Sequence, residues 1–156
     1  MKITVDTREQ TPLVFAYDGV TVERGTVPVF DYALAGDESH FAVERKSLAD
    51  FVQAVVLQDS YRRELEKIRK AKAAGMTRVY YVVESHYLGV RSYRYDRFAS
   101  GRVHPGLVYK RWRELCHQHG VHVVWADDAE GASWAVYLLL KSRAEELRVL
   151  EGVAIL

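Results

Sequence analysis

The stretch His40 to Asp50, H-F-A-V-E-R-K-S-L-A-D, decides how the rest of this chain is read. It opens as a strand: Phe41, Ala42 and Val43 follow the turn-forming run Gly36-Asp37-Glu38-Ser39. It closes as a helix start, with Ser47 as N-cap and Asp50 three residues on, close to the capping-box pattern. A strand repeats every two residues, so Glu44 and Lys46 project from one face. A carboxylate and an ammonium are thereby held together where a strand turns into a helix. Glu44 can ligate a hard cation, and Lys46 can orient a nucleophilic water or offset charge developing on a phosphate. Alone, Glu-x-Lys is an ordinary surface ion pair, so its meaning depends on what the flanking chain brings to it.

Toward the N-terminus, Val27–Leu34 (V-P-V-F-D-Y-A-L) predicts a strand with Val29, Asp31 and Ala33 on one face. With the turn and the His40–Glu44 strand it forms an antiparallel hairpin, whose pairing brings Asp31 toward Glu44. A carboxylate on an otherwise apolar strand needs a partner or a metal. Lys2–Val5 predicts a short opening strand that runs into Asp6-Thr7-Arg8-Glu9-Gln10-Thr11-Pro12. Polar residues directly off a strand end are where α/β proteins place functional groups. Val20–Glu23 predicts another short strand.

Toward the C-terminus, Ser47–Leu57 predicts a helix with a Leu48, Phe51, Val52, Val55 and Val56 stripe. Ser60–Ala74 predicts a second, closed by Gly75 and anchored by Tyr61, Leu65 and Ile68, its other faces mostly basic. Arg78–Glu84 reads as a central buried strand. Residues 86–106 have no clear period and interleave Tyr87, Tyr93, Tyr95 and Phe98 with Arg91, Arg94, Arg97 and Arg102. That mixture suits nucleic-acid contact and a subunit interface equally. Leu107–His119 is a helix ended by Gly120, Val121–Ala126 another buried strand, and Asp127 or Asp128 caps a last helix to about Val149. The apolar tail Val153–Leu156 is expected on the core or on a partner chain. The order predicts a single-domain α/β fold, a mixed central sheet flanked by helices.

The chain has 156 residues, 49% hydrophobic and 28% charged, with a formal net charge of +1. No apolar run reaches a membrane span and no export signal is present, so the protein is expected in the cytoplasm, away from membranes. The single Cys116 excludes an internal disulfide and a paired-cysteine zinc site. There is no Gly-rich phosphate loop and no Gly-x-Ser-x-Gly elbow. Charge is unevenly spread: residues 61–113 hold 14 Lys and Arg against 4 Asp and Glu. The flanking thirds are acidic, which suits a phosphate-binding face beside a metal pocket. Arg62, Arg63, Arg69, Lys70, Arg91 and Arg94 are the candidate DNA contacts.

Asp6, Asp31, Glu44 and Lys46 thus converge from three strands. Carboxylates can hold one or two Mg²⁺, and the chemistry that wants this set is phosphodiester hydrolysis. At these residues the chain resembles the nuclease domain of the XPF family, a branch of the restriction-endonuclease-like PD-(D/E)xK nucleases. The likeness lies in Val5-Asp6-Thr7-Arg8-Glu9-Gln10, Asp31-Tyr32, and Val43-Glu44-Arg45-Lys46-Ser47 with Asp50 beyond, and it extends over nearly the whole chain.

The resemblance implies that Asp31 and Glu44 are metal ligands, Asp6 a further acidic group at the metal or its water shell, Lys46 the motif lysine, and Arg8 a residue that steadies the site or contacts phosphate. Arg45 and Asp50 match the motif with structural roles. It implies Mg²⁺, with Mn²⁺ substituting. It also implies branched DNA as substrate, most of all a four-way junction, cut by a homodimer, with flap or fork cleavage and an inactive DNA-binding module as alternatives. Two departures stand out. Phe30 occupies the position of the motif glycine before Asp31, and residues 1–156 leave no room for the helix–hairpin–helix domain of many relatives.

Overall fold

The computed structural model describes residues 1–99 and 101–152, so the tail expected to pack on core or partner lies outside the described residues. Six strands form one mixed sheet: β1 (Lys2–Asp6), β2 (Thr21–Gly25), β3 (Tyr32–Leu34), β4 (Ala42–Ser47), β5 (Val79–Glu84) and β6 (Val121–Trp125). Their order across the sheet is β2-β1-β3-β4-β5-β6. β3 runs antiparallel to β1 and β4, and the other neighbours are parallel. Five helices cover the sheet: α1 (Leu48–Val56), α2 (Gln58–Ala73), the short α3 (Gly89–Ser92), α4 (Pro105–His117) and α5 (Ala129–Leu150). No described helix is long and apolar enough to cross a membrane.

The period of two sorts the sheet into two cores. Tyr81 and Val83 face the side of α1, α2 and α4, with Phe51, Val52, Ile68, Val108 and Leu115. Tyr32, Val43 and Val82 face α5, with Val136 and Leu140. On β4 the same alternation sends Glu44 and Lys46 to the α1/α2 side and Arg45 to the other. Parallel β1, β4 and β5 all end at the same sheet edge, the end where α/β proteins gather functional residues.

The caps follow sequence chemistry. The Ser47 hydroxyl accepts from the Asp50 amide at 3.1 Å, and the Asp128 carboxylate accepts from Gly131 at 2.8 Å. Gly75 ends α2 at φ +107°, a conformation side chains avoid. Arg143 ties α5 to the β3–β4 turn through a two-pronged pair with Asp37, at 2.7 and 3.1 Å.

Three expectations need correction. The Val27–Leu34 strand shrinks to Tyr32–Leu34, because the chain bends through Val29–Asp31. β6, expected to be buried, is a half-exposed edge strand with β5 on one side only. Within the unpatterned 86–106 segment lie α3 and a 3₁₀ turn at Tyr95–Arg97.

Candidate active site

Glu44 and Lys46 form a buried ion pair, Lys46 Nζ to Glu44 Oε1, at 3.0 Å. Two residues of α2 close over it. Glu64 Oε1 accepts from Lys46 at 3.1 Å, and Lys67 Nζ donates to Glu44 Oε1 at 2.6 Å. Tyr81, which lies opposite Glu44 in the β4–β5 register, donates its hydroxyl to Glu64 Oε2 at 2.6 Å. Burial works to lower the Lys46 pKa, but Glu44 and Glu64 outweigh it and hold the ammonium above the usual lysine range. Burial works to raise Glu64, and Lys46 and Lys67 outweigh that too. Lys46 is therefore a permanent cation with two anionic neighbours.

Asp31 enters from the bend before β3. Its amide donates to the Val43 carbonyl at 3.1 Å, and its carbonyl accepts from the Asp6 amide at 2.8 Å, which locks its backbone between β4 and β1. Oδ2 accepts from the Arg45 amide at 2.8 Å. Burial first, and then the negative charge of Glu44, push the Asp31 pKa up to about 8. The hairpin thus does what its pairing predicted: it sets two carboxylates against each other.

Asp6, expected at the metal or its water shell, has both carboxylate oxygens hydrogen-bonded within the chain. Its Oδ1 accepts from the Arg8 amide at 2.9 Å and from Arg8 Nε at 2.5 Å, and Oδ2 accepts from the Val27 amide at 2.8 Å. Burial would raise its pKa, but these donors, Arg8 foremost, hold it below the usual carboxylate range. With both oxygens engaged, Asp6 anchors the loop and aims Arg8, whose other end donates to the Val27 carbonyl at 2.8 Å. Arg8 remains largely exposed at the rim, within the field of Asp31 and Glu44.

Arg45 lies across the sheet, paired with Glu84 at 2.5 Å and Glu9 at 3.6 Å, the structural role expected of it. Asp50 borders a cleft of about 290 Å³ with Lys46, Gln53, Ser60, Arg63 and Glu64. Phe30 does not widen the site as a glycine would. Its ring is fully buried, 6.0 Å from Tyr81 edge-to-face, and 5.9 Å below the Lys67 ammonium. The motif position is filled by a hydrophobic floor under the ion network.

The basic candidates fall into separate groups. Arg63 borders the cleft beside Lys46. Arg62, Arg63 and Arg69 line a broader groove of about 550 Å³ with Leu65, Glu66 and His119. Arg62 and Arg69 are also paired along the helix with Asp59 and Glu66, and Lys70 is exposed on the same helix. Arg91 sits on α3, and Arg94 pairs with Asp96 at 3.0 Å. Glu64, Lys67 and Tyr81 were not singled out from the sequence. Glu64 and Lys67 lie three apart on α2, on the side that flanks its buried stripe of Tyr61, Ile68 and Ala71, a spacing that gives them a shared face but not its contact with β4.

Among the described residues no three His, Cys, Asp or Glu side chains are grouped to hold a metal, in line with the diversion of Asp6. Asp31 and Glu44 remain as a two-carboxylate donor set. Hard oxygen donors, and an Asp31 carboxyl driven up by burial and then by Glu44, fit a divalent cation completed by waters and phosphate oxygens.

Residues 5–138 match the ERCC4 domain. The fold is similar to that of XPF from Aeropyrum pernix in complex with DNA, with a TM-score of 0.69 and 22% identity over 93% of this chain and 66% of that one. It is equally similar to XPF from Aeropyrum pernix alone, with a TM-score of 0.69 and 21% identity over 97% of this chain and 69% of that one. The chain thus spans about two thirds of the length of these structures. No protein of curated function matches it significantly. Extent and motif together establish that this chain belongs to the ERCC4 domain family.

Proposed function

We propose that this protein is a metal-dependent, structure-specific DNA endonuclease that hydrolyses phosphodiester bonds in branched DNA, and that four-way junctions are its preferred substrate. The observation that carries the reading is the pair Asp31 and Glu44, close enough for Glu44 to raise the Asp31 pKa and adjoined by Lys46 at the strand ends of an ERCC4 fold. Mg²⁺, with Mn²⁺ in its place, would be held by Asp31 and Glu44 and would supply Lewis acidity and an activated water. Lys46, fixed between Glu44 and Glu64, stays protonated. It serves as a hydrogen-bond donor to phosphate oxygen or to the attacking water, not as a proton acceptor. Arg8, aimed by Asp6, receives a phosphate at the rim. Arg63 extends the cation track from the cleft onto α2.

The junction preference rests on a homodimer. Two copies related by a two-fold axis present two sites to a two-fold-symmetric substrate. The outer face of α5, with Trp134 and Leu138 half-exposed one turn apart, offers an apolar patch for that pairing. The test is cleavage of end-labelled four-way junction, flap, fork and linear duplex in Mg²⁺. Paired nicks in the junction, lost in Asp31→Asn and Lys46→Ala, are expected. Faster cutting of flaps or forks would move the substrate, and binding without cutting of any substrate would refute the enzyme reading.

A further inference from the structure

We propose that Lys67 holds the place of the metal's charge on Glu44, and that a divalent cation displaces it and frees it for a DNA phosphate; the inference rests on the nuclease reading above. Lys46 and Lys67 converge on the same oxygen, Glu44 Oε1, at 3.0 and 2.6 Å. One carboxylate does not need two ammonium groups. Cation binding at Glu44 repels both, and the less restrained one moves.

Lys67 is that one. Its side chain is 28% exposed against 10% for Lys46, and its second carboxylate contact, to Glu64, is 3.4 Å against 3.1 Å. Its ammonium also rests over the Phe30 ring, at 5.9 Å. Such a contact holds a cation loosely near a surface. A lysine on a four-carbon stem can leave without disturbing α2, and its exposed side sets the direction of release. Phe30 gains a purpose here, since a glycine at that position would leave Lys67 no ring to rest on.

The experiment measures Mn²⁺ affinity without DNA, by titration calorimetry, in the wild type and in Lys67→Met and Lys67→Gln, with thermal melting to confirm folding. Removing the competitor is expected to tighten Mn²⁺ binding about tenfold, the usual worth of a charged hydrogen bond. DNA binding is then measured against salt in Ca²⁺ and in EDTA. With Ca²⁺ the wild-type salt slope should exceed that of Lys67→Met by about one phosphate contact, and in EDTA the two slopes should agree. Unchanged or weaker Mn²⁺ binding in both variants, or a slope difference that ignores the metal, overturns the placeholder. Absence of Mn²⁺ binding in the wild type overturns the metal site itself.

Discussion

Asp31→Asn is expected to stabilise the metal-free protein, in a manner that depends on pH. Burial and the facing Glu44 raise the Asp31 pKa to about 8 in the fold, whereas in the unfolded chain it titrates as an ordinary carboxyl near ~4. Between those values the folded state keeps a proton that the unfolded state has released, so stability falls as pH rises through the window. At roughly 1.4 kcal/mol per pH unit the full penalty is of order 5 kcal/mol, and relaxation with water entry reduces it to roughly 2–4 kcal/mol. Asparagine keeps the acceptor for the Arg45 amide and carries no charge. Urea unfolding in EDTA should show the two proteins alike near ~pH 4 and Asp31→Asn more stable by about 2–4 kcal/mol above ~pH 8. Adding Mg²⁺ should close or reverse the gap, because only the wild type gains the ion. A variant that is no more stable at high pH, or a gap that does not change with pH, refutes the argument that burial and the charge of Glu44 hold the proton on Asp31.

Lys46→Met should abolish cleavage, by about 10³-fold or more, and also destabilise the fold, because Glu44 and Glu64 lose their shared cation; single-turnover kinetics and urea unfolding together check both parts. Phe30→Gly restores the family motif but removes a fully buried ring, so unfolding should show a loss of about 3–5 kcal/mol, while Phe30→Leu should keep most of the stability and the activity. Asp6→Asn should weaken substrate binding through Arg8 without changing Mn²⁺ affinity by calorimetry, because Asp6 points its oxygens at the loop. The Asp6 pKa is lowered in the fold, so its contribution is present above the unfolded value and lost as pH falls through the folded one. Asp6→Asn should therefore flatten the acid limb of the stability curve below ~pH 4.

What could be read from the chain was local or carried by one strand pairing. The alternation on β4 gave Glu44 and Lys46 a common face, and the hairpin brought Asp31 to them, although the strand that carries Asp31 is broken where Phe30 turns inward. The hydrogen bonding of Asp6 is not legible in the local sequence, because it is set by Val27, 21 residues away, whose amide claims Oδ2. Spacing within residues 6–9 holds no sign of that bond. Lys67 and Glu64 were hidden for a related reason. In a helix crowded with Lys and Arg, the two residues that turn back onto the sheet look like the exposed ones until α2 is laid over β4 and β5.

Laid together, these residues make a charge count that explains the family chemistry better than the motif does. Once Asp31 ionises, Asp31, Glu44 and Glu64 bring three negative charges against the two positive ones of Lys46 and Lys67. The deficit falls on Asp31, which burial first and then the charge of Glu44 keep protonated up to about pH 8. A divalent cation more than covers that deficit, and the excess positive charge matches one incoming phosphate. On the proposed reading, this count makes the site incomplete without metal and attractive to DNA only with it. Charge-neutralising changes on the acidic and basic sides should therefore move metal affinity in opposite directions: Glu64→Gln weakens it by leaving the lysines unopposed, and Lys67→Met strengthens it. If both shifts had the same sign in calorimetry, electrostatic balance would not be what governs the site.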